Sequence, residues 1–464
     1  MHRPVPPLAS GTRLQRAGLW LRDHQPLLFR IQWGVVAVYA FLLVVPVILP
    51  LPGSAAHIWS NLTLFAQFVF WGLWWPGALI SVLLFGRLWC GVFCPEGALT
   101  AFTARRGQGR AVPRWLRWPG WPFAAFVLTT VYGQLISVYQ YPAPALLILG
   151  GSTLAAMMVG HLYGRNKRVW CRYLCPVNGV FGLLARLAPL YFAVDSRAWD
   201  ACPPDVARLQ RFNCEPLVPV RTMESASPCH MCGRCAGFRG AVSLEARLPG
   251  AEVVTVGART ANGWDSLLII VGLLGVATAA FQWSASPWFV ALKQLLAGWL
   301  VGAGQIWPLQ TTLPWWLLTN YPEQNDALSV LDGLTMLIYL AGVTLILTLS
   351  ISLPIALATR LLGPWRWGRF HHLTQSLIPI AACGVILGLS ALTVTMLRAE
   401  GLMIDAGPAR GLALAGAAGW SIVLAVRIIQ RSNASPARRG GALALCGAAL
   451  LPPIGCWVLL FWIW

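Results

Sequence analysis

Nine stretches of roughly 20 apolar residues recur along the chain, and runs of that length belong in the hydrocarbon interior of a bilayer. They are Ile31–Leu51, Leu62–Phe85, Trp121–Tyr139, Ala145–Tyr163, Ser266–Trp283, Leu334–Ala358, Leu377–Leu397, Gly411–Ile429 and Ala442–Trp464. A tenth, Trp288–Ile306, carries Lys293 and Gln294 and is read as interfacial. Inside lipid each backbone donor and acceptor needs an internal partner, so these runs are expected to be helices. Only 11% of the 464 residues are charged, against roughly 25% in soluble domains. Trp71, Trp74, Trp75, Trp283, Trp288, Trp315 and Trp316 stand near span ends, as in an aromatic belt facing membrane lipid. The expected fold is an all-α polytopic membrane protein of about nine transmembrane helices, with kinks at Pro354, Pro379 and Pro452-Pro453.

A net charge of +19 raises the question of nucleic acid, and its distribution answers it. With the N-terminus inside, segments 1–30, 86–118, 164–262, 360–371 and 427–440 share one side and hold 31 of the 34 Lys and Arg. Lys293, Arg398 and Arg410 are all that remain for the other side. This bias predicts a multi-pass protein with its N-terminus and basic face in the cytoplasm, and no nucleic-acid partner. No small-residue cleavage site follows the first apolar run, which is read as a retained span.

Nine of the twelve cysteines fall at or in the segments assigned to the cytoplasm, where disulfides are disfavoured and metal binding is the better explanation. Two stretches read almost alike: Trp89-Cys90-Gly-Val-Phe-Cys94-Pro95 and Trp170-Cys171-Arg-Tyr-Leu-Cys175-Pro176. Each follows an apolar hairpin and a Gly-Arg pair, a weak duplication covering about residues 31–106 and 121–190. On a helix, C-x3-C puts two sulfurs on one face. One pair offers two ligands where a four-iron cluster takes four. If the hairpins pack as partners, Cys90, Cys94, Cys171 and Cys175 enclose one cluster at the membrane boundary. Read singly, each pair is equally well a pair of small buried or lipidated thiols.

A third stretch, Cys229-His-Met-Cys232-Gly-Arg-Cys235, opens like the ferredoxin pattern C-x2-C-x2-C-x3-C-P. Arg239 and Gly240 stand where the last cysteine and proline belong, so a fourth ligand comes from Cys202 or Cys214, or the cluster keeps an open site. Pro203 after Cys202 tilts the choice slightly towards that residue. Zinc is the rival metal, although structural zinc usually draws two separated cysteine pairs. The expected cofactors are two 4Fe-4S clusters.

The remaining polar residues carry less. Arg87, Arg168, Arg172, Arg234 and Arg239 flank the cysteines and would raise a cluster's potential, yet most are read as ordinary positive-inside residues. Cys383, Cys446 and Cys456 lie mid-span as packing residues. His161, His371 and His372 are read as structural, His230 as a possible tuner of its cluster, and Asp326 and Asp332 as solvated on the outer side. No chain of intramembrane carboxylates suggests proton pumping. No redox group lies midway through the hydrocarbon, so electrons need quinone or a partner subunit to cross it.

The division expected is a basic cytoplasmic arm (1–30), a four-helix unit with the two C-x3-C-P runs (31–190), a ferredoxin-like cytoplasmic segment between the fourth and fifth spans (191–264), and a five-helix block (265–464). Within these, 98–104 and 179–190 read as helical runs and Ala251–Val256 as a short strand. The third part is small enough that a cluster would have to staple it.

The paired W-C-x3-C-P runs followed by a cysteine-rich segment resemble the polyferredoxin family of bacterial inner-membrane proteins, over about residues 60–240. That family includes the quinol-oxidising subunit of periplasmic nitrate reductase and the electron donor of nitrous oxide reduction. The resemblance implies iron–sulfur clusters and electron traffic between quinone and a periplasmic partner, with ligand roles for Cys90, Cys94, Cys171, Cys175, Cys229, Cys232 and Cys235. This chain departs from it in having one incomplete ferredoxin motif and five extra C-terminal spans. A longer form resembles the polyferredoxin of permease-type ferrous iron uptake, which implies a cupredoxin and an iron permease as partners. The leading expectation is an electron-transfer protein, an electron carrier or a redox subunit resembling a quinol dehydrogenase. The alternatives are an assembly or metal-reducing factor for a respiratory metalloenzyme, and a transporter using the C-terminal spans.

Overall fold

The structure, a computed structural model, describes residues 12–53, 55–203 and 212–464. The protein is an all-α polytopic membrane protein. Among the described residues, eight helices are long and apolar enough to cross a bilayer: Gln25–Ile48, Leu62–Phe85, Pro142–Tyr163, Gly263–Gln282, Val330–Leu361, Trp367–Ala399, Gly407–Gln430 and Pro436–Ile463. Each contains most of one expected apolar run. The ninth run differs: its helix, Trp121–Leu135, has 15 residues, about 22 Å at ~1.5 Å per residue, and breaks at Ile136 and the left-handed Ser137. The cysteine-rich segment therefore lies between the third and fourth of the eight. Arg168 donates to the Cys90 carbonyl at 3.1 Å, so both cysteine turns share one side. The chain between them must go out and return, which assigns the outward leg to the short helix and its turn.

Local chemistry sets the helix ends. Asn61 accepts from the backbone N–H groups of Thr63 and Leu64, opening Leu62–Phe85. Ser329 and Asp332 form a capping box at Val330–Leu361, and Lys293 pairs with Asp332. Asp332 is thus a buried cap, not the solvated residue expected. Pro354 lies inside its helix, whereas Pro379 and Pro452 sit in first turns, where a missing N–H costs nothing.

The chain divides into two compact units. The first comprises Met1–Phe41, Ala78–Trp118 and Ser152–Val256. Its small core holds Phe192, Val218, Val220, Met231, Ala236, Val242 and Leu244. Strand β1 (Leu190–Val194) pairs antiparallel with strand β2 (Val242–Ala246), Phe192 opposite Leu244. The helix Arg13–Asp23 lies on β2, with Gly18 so close that an added Cβ would stand 3.0 Å from that of Leu244. Residues 13–30, read as part of an arm, are therefore helical and packed. Ala251–Thr255, expected as a strand, is a helical turn. Glu252 anchors it by accepting from Ser225, the Ala226 N–H and Arg247, bonds that a strand in this position would not make.

The second unit comprises Leu42–Gly77, Pro119–Gly151 and Gly257–Trp464. Gly263–Gln282 and Val330–Leu361 pack closely through small residues: a Cβ on Gly275 would stand 2.8 Å from Thr344. Ala279, Ala280, Phe289, Met336, Tyr339 and Leu340 form a core cluster beside them. In the loops of this unit Tyr141 stacks on Tyr321 at 3.7 Å between ring centres and donates to Asp326 at 2.8 Å.

Candidate metal centre

The two C-x3-C-P runs fold differently around the same purpose. Cys90 lies in a wide turn, Trp89–Phe93, entered through left-handed Gly86. Cys94 caps the helix Pro95–Arg105, its sulfur accepting the Gly97 N–H at 3.4 Å. Proline fits directly after it because the first helical N–H has no partner to lose, and the positive helix end favours a thiolate. In the second run Cys171 lies in the helix Val169–Tyr173, and Cys175 precedes Pro176.

The structure brings these four thiols together. Burial pushes Cys94 well above the ordinary thiol range, with Cys90 and Cys171 adding repulsion. Burial pushes Cys171 up to about 12, against the pull of Arg168 and with Cys90 adding to it. Cys175 is raised by burial first, then by Glu96, Cys171, Cys94 and Cys90. Glu96 belongs to this pocket too: burial raises its pKa while Ser152 and the Trp170 indole donate to it at 2.6 and 3.2 Å.

The third cysteine stretch makes a tight loop. Met231 and Gly233 take left-handed backbone, turning successive N–H groups inward, and the Met231 N–H reaches the Cys229 sulfur. Burial raises Cys229 to about 12, and Cys232 and Cys214 press it further. Cys235 rises likewise through burial and then Cys229, Cys232 and Cys214. The two upstream thiols, Cys202 and Cys214, stand in different surroundings. Cys214 shares the field of the loop cysteines, whereas Cys202 donates to its own Pro203 carbonyl at 3.7 Å in an exposed setting.

The two sets adjoin. A Cβ on Gly91 would stand 2.1 Å from the His230 carbonyl oxygen and 3.0 Å from the Cys232 nitrogen. No other residue fits between Cys90 and this loop. Arg168, 3% exposed, bridges further: its Nη1 donates to the Cys90 carbonyl and its Nε to Glu215 at 2.7 Å. Glu215 also pairs with Arg234, which donates to Gln25, which donates to the Cys232 carbonyl at 2.9 Å. Burial drives the Glu215 pKa up, but Arg168 and Arg234 outweigh it and hold the carboxyl below its usual range. Arg87 donates to the Ser227 carbonyl at 2.8 Å and approaches the Cys90 sulfur at 3.8 Å. Arg87, Arg168 and Arg234 are therefore structural members of the site and not surface positive-inside residues. Neither Glu96, Glu215 nor Gln25 stood out in the sequence; Glu96 alone had a signal, its place directly after Cys94-Pro95.

Iron–sulfur clusters fit these residues. The donors are soft thiols gathered in fours, Cys90 and Cys171 buried and the others half-buried, with backbone N–H groups on several sulfurs, and the buried Arg87 Nε and His230 Nδ1 lack partners. Burial, then Arg87, Arg168 and Arg172, keep the His230 imidazole neutral. Among the described residues no three His, Cys, Asp or Glu side chains converge on one point as a single ion requires. A cluster puts iron and sulfide between its ligands and so takes a wider set than a single ion.

The raised thiols carry a pH prediction for the metal-free protein. The unfolded chain releases thiol protons above about pH 8.5, while the fold retains them towards about 12 at Cys171 and Cys229. The unfolded state then binds fewer protons, so stability falls as pH rises through that window and is unaffected below it. Chemical denaturation of iron-free protein at pH 7.5 and 9.5 measures the loss; equal midpoints would contradict it.

Residues 67–119 and 144–190 match a 4Fe-4S binding domain family. YccM of Escherichia coli (strain K12), named for electron transport, is 22% identical over 236 residues, 45% of this chain and 64% of its own. The methylamine utilization ferredoxin-type protein MauN of Paracoccus denitrificans (strain Pd 1222) is 27% identical over 137 residues, 27% of this chain and 47% of its own. The chain thus spans less than two thirds of either relative. No solved structure matches it. These similarities support a polyferredoxin-like protein with an iron–sulfur electron-transfer role, and leave the branch of that group open.

Proposed function

We propose that the chain is a membrane-bound carrier with two adjoining 4Fe-4S clusters, one on Cys90, Cys94, Cys171 and Cys175, the other on Cys214, Cys229, Cys232 and Cys235. The observation that carries this is the contact of Gly91 with the loop His230–Cys232, which sets the two four-thiol groups side by side. Bound clusters supply reversible one-electron chemistry. The chain's own residues bury Cys90 and Cys171 and hold fixed positive charge beside the thiols, which favours the reduced, more negative state. Glu215 offsets part of that charge between the two sets.

The positive-inside bias favours the cytoplasmic side of a bacterial inner membrane for both sets. Electrons would then pass between the quinone pool or cytoplasmic carriers and a partner redox or ferrous-iron uptake system. The electron-transport and ferredoxin-type names of the relatives favour this reading. Anaerobically purified full-length protein should be brown, hold about eight irons, and bleach reversibly on reduction by dithionite. Colourless protein, or iron far below about four per chain, would defeat the proposal. Reduction by a short-chain quinol, measured on the same material, then tests the quinone arm.

A further inference from the structure

The first unit contains a cavity of about 650 Å³ that ends on the Cys214 side chain, within the roughly 300–1,000 Å³ usual for small-molecule sites. One wall is aromatic. Phe212 and Phe238 meet edge to face at 4.6 Å between centres, and Trp199 leans on Phe238 at 4.9 Å. Three cations share the rest of the lining with Val218, Pro219, Val220 and Thr222: Arg239 lies over the Trp199 ring at 5.1 Å, with Lys167 and Arg221 also at the space. Lys167 donates to the Cys214 carbonyl at 3.0 Å, tying the cationic wall to the thiol. Arg221 is held by Asp200 at 3.0 Å, both more than half exposed. Such a surface pair contributes little and exchanges readily for a stronger anion. One lining residue that is not glycine, Arg239, is held in left-handed backbone, a strained state that collects at functional positions.

Aromatic rings, fixed cations and a cluster thiol in one open space select a planar aromatic anion. We infer that this cavity binds a phosphate-bearing flavin of the flavin mononucleotide class, its ring on Trp199 and Phe238 and its phosphate at Arg221. The inference rests on Cys214 holding the second cluster, as proposed above. Reduced flavin gives up one electron, the cluster takes one, and no bond forms or breaks. Nicotinamide cofactors hand over two electrons with a hydride, which a one-electron cluster cannot accept. Quinones carry no charge to match the cationic wall.

The test is a titration of oxidised flavin mononucleotide into the detergent-solubilised full chain, read by quenching of flavin fluorescence. Saturation at one per chain is expected, with riboflavin, which lacks the phosphate, bound about ten-fold more weakly. Arg221→Glu should weaken flavin mononucleotide by at least about ten-fold and leave riboflavin nearly unchanged. Trp199→Ala should weaken both. Iron content and visible absorbance of each variant report that fold and clusters are intact. Absence of saturable binding to iron-loaded protein, equal affinity for the two flavins, or binding unmoved by both variants would overturn the inference. Failure of the cluster proposal shows separately, as missing iron in the unsubstituted chain.

Discussion

Cys171→Ala should halve the iron of the purified protein, from about eight to about four per chain. It removes one of four thiols from a buried set in which Cys90, Cys94 and Cys175 are already in one another's field. A three-thiol remnant in that apolar pocket keeps its protons more readily than it keeps iron. Cys229→Ala should remove the other half and leave the first absorbance intact. Cys214→Ala should behave as Cys229→Ala, while Cys202→Ala should change nothing, because Cys202 is exposed and turned to its own backbone. Iron assay and electron paramagnetic resonance of the reduced variants distinguish these outcomes. Equal iron loss in Cys202→Ala and unchanged iron in Cys214→Ala would refute the second ligand set.

Glu215→Gln should be the most destabilising single change outside the cysteines. The carboxylate is the counterion of Arg168, whose side chain is 4% exposed, and it also holds Arg234. Glutamine keeps the shape and removes the charge, leaving a buried guanidinium unpaired at a cost of about 3–5 kcal/mol. Denaturant titration of the variant measures the loss. Adding Arg168→Met should recover much of it, since removing both charges is far milder than stranding one. If the double variant is as unstable as the sum of the single ones, the ion pair is not the cause. Iron-loaded Glu215→Gln should also reduce at a higher potential, as the two arginines are no longer offset.

Much of this was readable in the residues and some was not, for definite reasons. The eight long spans announced themselves because lipid tolerates no polar run, whereas the length of the ninth was not legible: its apolar residues continue past Leu135 but its helix does not. The neighbourhood of Cys90, Cys94, Cys171 and Cys175 was foreshadowed because a duplicated motif implies a duplicated position. The surroundings of Cys214 and Cys202 were not, since nothing local separates the two; they depend on how the chain between Cys175 and Cys229 doubles back. Val242–Ala246 alternates apolar and polar residues in the strand manner, but it was passed over for Ala251–Val256, whose β-branched residues were the weaker sign. The arginines were misjudged because charge bias explains many arginines and conceals those that are buried. Glu215 and Gln25 become functional only through partners distant in sequence, the Cys232 carbonyl standing 207 positions from Gln25.

The first thiol set draws one pair from before the out-and-back excursion and one pair from after it. Translation at about 5–20 residues per second separates Cys94 from Cys171 by roughly 4–15 s, during which the leading pair stands alone and two sulfurs cannot grip a cube. On the proposed ligand set, loading follows insertion of the third long helix, and whatever delivers prebuilt inorganic cores then meets a polypeptide already seated in lipid. A nascent chain stalled before Tyr163 leaves the ribosome would carry reactive sulfur and no metal.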